Sequence, residues 1–210
     1  EVTVRGNVSY GTGMYKSKDG GRSWSSIGLP DSRHIARIRI HPKNPDIAYA
    51  AVLGDLYKGT QERGVYKTID GGKTWEKPRP IMDMGTFNGL AEDLNGCSDA
   101  NILVDKKTGE VIVSAVWTHG KPGTHQWRDR GSEPGLKLSQ SSQFMMVKSK
   151  DDGKSWSEPE NWTAKLKDPA WYLFAPAPGN GITLRDGTLV MPTQGRDEKG
   201  VPFSNLMWSG

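Results

Sequence analysis

An eight-residue pattern, Ser/Thr-x-Asp-x-Gly-x-Ser/Thr-Trp, occurs three times in this chain, at Ser17–Trp24, Thr68–Trp75 and Ser149–Trp156. Each copy follows a short alternating apolar run: Gly13-Met14-Tyr15-Lys16, Gly64-Val65-Tyr66-Lys67 and Phe144-Met145-Met146-Val147-Lys148. A second short strand is predicted to begin at each Trp, so every copy reads as the turn of a β-hairpin. The Asp carboxylate can accept hydrogen bonds from turn N–H groups. Gly at the fifth position takes a backbone angle that side chains resist, and the Trp covers the base of the hairpin. One pattern used three times marks a repeat architecture, and its Asp and Trp residues are read as fold-forming rather than ligand-binding.

Composition agrees with many short strands. Hydrophobic content is only 34%, yet eight Trp and 26 Gly suit strands joined by tight turns. No apolar run reaches membrane-spanning length and no signal pattern opens the sequence, so a soluble chain without a membrane partner is expected, in a compartment that the sequence leaves open. The net charge of +4 is spread along the chain without a basic run, which does not suggest nucleic acid. Cys97 is the single cysteine, and His34, His41, His119 and His125 lack metal-ligand spacing, so neither disulfide, metal nor cofactor is expected.

Alternation divides the chain into four units. The second contains Ile35–Ile40, Ile47–Val52, Gly64–Lys67 and Thr74–Glu76, four strands in succession. The third, from about Cys97 to Thr163, contains strands at Asn101–Val104, Val111–Trp117, Phe144–Lys148 and from Ser155, with a long loop between Thr118 and Gln143. Loops of that length inside a compact repeat usually carry function. The first unit lacks its opening strand, and the fourth, with strands at Gly181–Leu184, Thr188–Thr193 and Ser204–Trp208, lacks its last.

The repeated octapeptide resembles the Asp-box, or BNR repeat, of β-propellers such as sialidases and sortilin-like proteins. The resemblance implies an all-β chain, a β-propeller of four-stranded antiparallel blades, two complete and two partial. Open terminal blades leave bare sheet edges, so completion by oligomerisation is expected, as a homodimer or higher assembly. The stretch Leu29–Asp46 with Gly64–Trp75 is similar to sortilin-like BNR proteins. From about Arg79 the chain resembles a bacterial exo-sialidase, through Asn95-Gly96-Cys97-Ser98-Asp99-Ala100, Val104–Gly109, Trp117-Thr118-His119-Gly120-Lys121, Pro178–Ile182 and Asp186–Val190. Residues 1–77 and 78–210 are accordingly read as fragments of two Asp-box propellers joined in one continuous domain, a chimera.

Sialidases clamp the substrate carboxylate with three Arg residues and use an Asp as acid/base and a Tyr nucleophile supported by a Glu. Guanidinium forks suit this task because they bind a carboxylate through two parallel hydrogen bonds. The resemblance offers Arg37, in Arg37-Ile38-Arg39, as stand-in for the first Arg, although the Pro of the family motif is missing. Asp55 is the sole Asp between Val52 and Tyr66 and stands where the acid/base would lie. The other two Arg, the Glu and the Tyr belong to later blades of the family. For substrate binding the resemblance points to Asp99, as acceptor for a ring hydroxyl, and to Trp117 and Trp127 beside an N-acetyl group. The bland readings are a turn for Asp55 and Asp99, a paired strand residue for Arg37 and core for Trp117. Arg128, Arg130, Gln194 and Arg196 are ambiguous between solvated and functional roles. Three functions follow: a self-assembling propeller fragment without catalysis, a module that binds sialic acid or another glycan, and an exo-α-sialidase.

Overall fold

The computed structural model describes residues 9–41, 44–55, 60–90, 94–120 and 132–209. The chain forms two compact units, Glu1–Pro80 and Ile81–Gly210. Among the described residues the elements are strands apart from the 3-10 turn Pro30–Ser32 and the four-residue helix Thr163–Leu166.

In the first unit, β1 (Tyr15–Lys16) and β2 (Ser25–Ser26) form a hairpin around the first Asp-box. The 3-10 turn Pro30–Ser32 leads into β3 (Ile35–Ile40), which pairs antiparallel with β4 (Ala48–Val52), and β4 with β5 (Gly64–Thr68). The register places Ile38, Ala50 and Tyr66 on one face and Arg37, Ala51 and Val65 on the other. After the second box only a single bridge, Lys67 with Glu76, stands where a fourth strand is predicted. The second box is fastened to the first hairpin: the Trp75 indole donates to the Ile27 carbonyl (2.6 Å) and the Lys16 ammonium to that of Gly71 (3.2 Å).

The three boxes share one hydrogen-bond pattern. In the first, the Ser17 hydroxyl donates to Asp19 Oδ1 (2.8 Å) and accepts from Gly21 N–H (2.7 Å). The Ser23 N–H donates to Asp19 Oδ1 (2.9 Å) and its hydroxyl to Oδ2 (2.6 Å). Thr68, Asp70, Gly72 and Thr74 repeat this set, as do Ser149, Asp151, Gly153 and Ser155. Hydrogen bonds from Ser23 and then Ser17 pull the Asp19 carboxyl down to about 2, and those from Ser155 and Ser149 do the same for Asp151. Asp70 is lowered likewise by Thr74 and Thr68. A carboxylate that accepts several donors is favoured in its charged form.

The second unit holds two sheets. In the first, β6 (Asn95–Val104), β7 (Val111–His119), β8 (Gln143–Ser149) and β9 (Glu160–Asn161) run antiparallel. The strand predicted from Ser155 is displaced: Ser157 N–H bonds the Lys148 carbonyl (2.8 Å), and β9 forms beyond Pro159. Proline cannot donate to a ladder, which confines it to an edge or a register break. The helix α1 (Thr163–Leu166) then precedes β10 (Leu173–Pro176), which the sequence did not signal. Next come β11 (Gly179–Asn180) and β12 (Ile182–Thr183), followed by β13 (Leu189–Arg196) and β14 (Pro202–Trp208). In this sheet β13 is central, with β14 on one side and β10 and β12 successively on the other. Between β10 and β12 the chain crosses over, and β11 pairs parallel with β6 as a fifth strand of the first sheet.

The core lies between these sheets. Leu103, Ile112, Phe144 and Met146 face Phe174 and Met191, with Trp171, Phe203 and Met207 closing the margin. Phe144 and Phe174 stack with centroids 5.9 Å apart, and Trp171 meets Phe203 edge-on at 4.8 Å. Each such side chain, fully buried, stabilises the unit by about 1.5–3 kcal/mol. Among the described residues the sheets do not close into a ring.

Candidate functional site

Alternation along β6 breaks at one place. Ser98 pairs with Val116 and Asn101 with Ser114, so one residue too many stands on β6, and Asp99 takes φ = 53°. A left-handed Asp costs free energy, and a bulge re-aims a side chain out of the regular sheet. Asn101, two residues on, secures the distortion: it is buried, and its Nδ2 donates to the Ala177 carbonyl (2.8 Å) in the crossover before β11.

Asp99 thereby enters a cleft of about 490 Å³ whose other walls are Leu173 from β10, Gln194, Gly195 and Arg196 from β13, and Pro202, Phe203 and Ser204 from β14. Period-two alternation puts Gln194 and Arg196 on one face of β13, opposite Ser204 and Pro202. Gly195 is required between them, because a Cβ there would lie 2.4 Å from the Leu173 carbonyl oxygen and 2.5 Å from Phe203. Gln194 Nε2 donates to the Pro176 carbonyl (3.3 Å). The carboxylate of Asp99 makes no hydrogen bond or ion pair among the described residues, and burial alone pushes its pKa up. Backbone strain and an unpartnered, partly desolvated carboxylate are both unfavourable for the fold, a combination found at functional sites.

The other expected site residues have different surroundings. Trp117 is 8% exposed, and its indole N–H has no partner among the described residues. It stands on β7 opposite Cys97 and Gln143 and does not line the Asp99 cleft. Trp127, Arg128 and Arg130 lie outside the described residues. In the first unit, Arg37 is exposed on β3. Asp55 is buried, and its Oδ2 lies 3.1 Å from Arg33 Nη1. Its carbonyl accepts from the Arg63 guanidinium at 2.9 Å. Arg33 in turn sits 4.8 Å over the Tyr10 ring, which leans on the buried His34.

The described end of the long loop, before β8, is tied down by polar contacts that the sequence did not reveal. His119 stacks on Phe87 at 4.4 Å and donates from Nε2 to the Leu138 carbonyl (2.7 Å). The buried Lys167 ammonium donates to the Gly135 carbonyl (2.7 Å), and burial lowers its pKa. Among the described residues no group of three His, Cys, Asp or Glu side chains could hold a metal ion. No described helix is long and apolar enough to cross a membrane.

The repeated box, the paired sheets and the Asp99 cleft define a propeller-type class, and the chain belongs to the BNR repeat-like domain family, whose model matches residues 49–209. Over 146 residues it is 47% identical to a sialidase of Bacteroides fragilis, across 70% of this chain and 26% of that protein. An exo-alpha-sialidase of Aspergillus fumigatus is 30% identical over 148 residues, 66% of this chain and 30% of its own length. Among solved structures, the Hadza microbial sialidase Hz136 superposes with a TM-score of 0.65 at 39% identity, covering 78% of this chain and 32% of that one. The chain therefore spans about a quarter to a third of the relatives it matches. Trypanosoma rangeli sialidase, at 18% identity and a TM-score of 0.52, shares the fold. The fold is thus all-β and of the sialidase β-propeller type.

Proposed function

We propose that this chain is a sialidase-type propeller segment without catalysis of its own, built to be completed by further blades, those of a second copy. The observation that carries the non-catalytic reading is the state of Asp55. A carboxylate held by Arg33 and enclosed by protein has no open side toward a glycosidic oxygen, and a general acid must come within hydrogen-bond reach of the atom it protonates. Assembly is favoured by β14, whose outer edge has no strand partner among the described residues and whose Leu206 and Trp208 are 53% and 69% exposed. The division into a sortilin-like half and a sialidase-like half, and hence a chimera, is supported by the junction between compact units at Pro80 and Ile81.

A second reading keeps sugar recognition. Its support is Asp99, a strained carboxylate without a described partner in an open cleft, of the kind that accepts hydroxyl donors. An exo-α-sialidase is the third reading, consistent with the names of the relatives.

Light scattering at several concentrations tests assembly: a stable multiple of 23.1 kDa is expected, and a concentration-independent monomer removes it. Folded protein is expected to leave a fluorogenic sialoside intact. Turnover that disappears on Asp55→Asn substitution would overturn the non-catalytic reading.

A further inference from the structure

A second cavity lies within the first unit, and the backbone beside it is distorted at three places in succession. Leu29 is left-handed (φ 56°, ψ 47°), and Arg33 takes φ 53° and ψ −58° while His34 N–H donates to the Ser32 carbonyl (2.5 Å). That is a γ-turn of the rare, strained kind, which persists only where its surroundings enforce it. Just beyond it, a register shift between Ile35 and Arg37 interrupts the pairing of β3 with β4. The cavity so formed, of about 400 Å³, is walled by Ser32, Arg33, Arg37 and Ile38 from this segment and by Met14 and Tyr15 from the first hairpin. Its lining residues fall between 11 and 38, ahead of the stretch 49–209 that carries the BNR repeat-like pattern.

The polar groups of this cavity are all suited to an acceptor oxygen, and no carboxylate lines it. Ser32 is 3% exposed, and its hydroxyl has no partner among the described residues. A buried hydroxyl without a partner costs about 1–3 kcal/mol, which an acceptor on a ligand would recover. Asp55 balances the charge of Arg33 through Nη1, and a guanidinium has further N–H donors to offer. Arg37 is exposed and forms no hydrogen bond or ion pair among the described residues, so its charge is the uncompensated one. Tyr15 and Ile38, each 46% exposed, leave apolar surface in water beside it. We propose that this cavity binds an organic monoanion, with an oxyanion head (carboxylate, sulfate ester or phosphodiester) on Ser32, Arg33 and Arg37 and a small apolar body over Tyr15 and Ile38. One negative charge matches the one free cation, and planar guanidinium groups present paired N–H donors to oxyanions. The body removes apolar surface from water.

The experiment follows backbone amide shifts of the isotope-labelled full chain during titration with benzoate, phenyl sulfate and methyl phenyl phosphate, and with benzamide, which carries the same ring without the charge. Saturable shifts at Ser32–Ile38 are expected, with at least one anion binding about five- to tenfold more tightly than benzamide. The tightest of the three identifies the head group. Arg37→Gln is expected to abolish the ratio while benzamide still moves the same amides, Arg37→Lys to restore part of it, and Ser32→Ala to weaken the anions without loss of thermal stability. Asp99→Asn should leave all four titrations unchanged, which separates this site from the cleft of the second unit. Because Arg37 is exposed, its variants should fold, and circular dichroism checks this. Equal affinity for the anions and benzamide, a ratio untouched by Arg37→Gln, or no saturable shift at Ser32–Ile38 with any probe overturns the site.

Discussion

Asp55 lies three residues beyond the end of β4 with its carboxylate 3.1 Å from Arg33, whereas Asp99 sits in a bulge of β6 with no described partner and a left-handed backbone. Both residues are singled out by their place in a sialidase-like pattern. The fold has neutralised one and left the other exposed to whatever enters its cleft. The difference separates structure from function more sharply than either position in sequence. A carboxylate that the protein satisfies stabilises the native state, and one that it leaves strained and desolvated is stabilised only by a ligand.

The largest expected effect breaks the satisfied side of this comparison. Arg33→Met keeps the apolar stem but removes the cation beside a carboxylate that is only 5% exposed, and should cost about 3 kcal/mol in urea unfolding at neutral pH. Arg33 itself is 42% exposed and regains water readily, so the converse change, Asp55→Asn, should cost less. The double variant should be more stable than Arg33→Met alone. If the two changes are simply additive, the pair is not what holds Asp55.

Acid sharpens the same contrast. Asp19 and Asp151 are lowered from 3.8 to about 2, and Asp70 is lowered too. Groups depressed on folding contribute stability that is present above the ordinary carboxylate value and is lost as pH falls from about 4 toward 2. Asp99 is raised, so its contribution has the opposite sign and declines as pH rises. Urea midpoints should therefore hold steady above pH 5 and fall steeply below 4. Replacing the three box Asp residues by Asn should flatten that fall.

Asp99→Asn should raise the free energy of urea unfolding near neutral pH by about 0.5–1 kcal/mol, while sugar binding falls. The amide carries no charge to desolvate and tolerates the left-handed backbone. Destabilisation on this substitution would mean that the carboxylate has a structural partner, and Asp99 would join Asp55.

How much of this was legible follows from the range of the interactions. The boxes could be read because their hydrogen bonds span no more than four residues, and so could β3, β5, β7 and β8, whose alternation is local. The crossover of β11 could not, since its two residues pair with Asn101 and Ile102 on a distant strand. Nor could the Asp99 cleft, which needs β6, β10, β13 and β14 together, and without which Gln194 and Arg196 look like any polar residues on a strand. Trp75 makes the point within the motif itself. Trp24 and Trp156 donate to glycines of their own boxes, while Trp75 reaches back to Ile27. One local pattern thus serves two long-range purposes.

The smallest expected effect concerns the other left-handed Asp of the second unit. In the first two boxes the fourth position is Gly20 or Gly71, with φ near 70°, whereas in the third it is Asp152 at φ = 59°. Asp152 is exposed and does not line the Asp99 cleft, so its strain has no ligand in that cleft to offset it. Asp152→Gly should relieve about 1 kcal/mol of backbone strain. Glycine also gives the unfolded chain more freedom, which returns roughly 0.5–1 kcal/mol of that gain. The net change should be a few tenths of a kcal/mol in favour of the variant, with sugar binding untouched. The same measurement on Asp99→Gly supplies the comparison: similar relief of strain, but with binding lost. Equal effects of the two glycines on binding would show that the bulge of β6, and not the carboxylate it carries, is what the cleft requires.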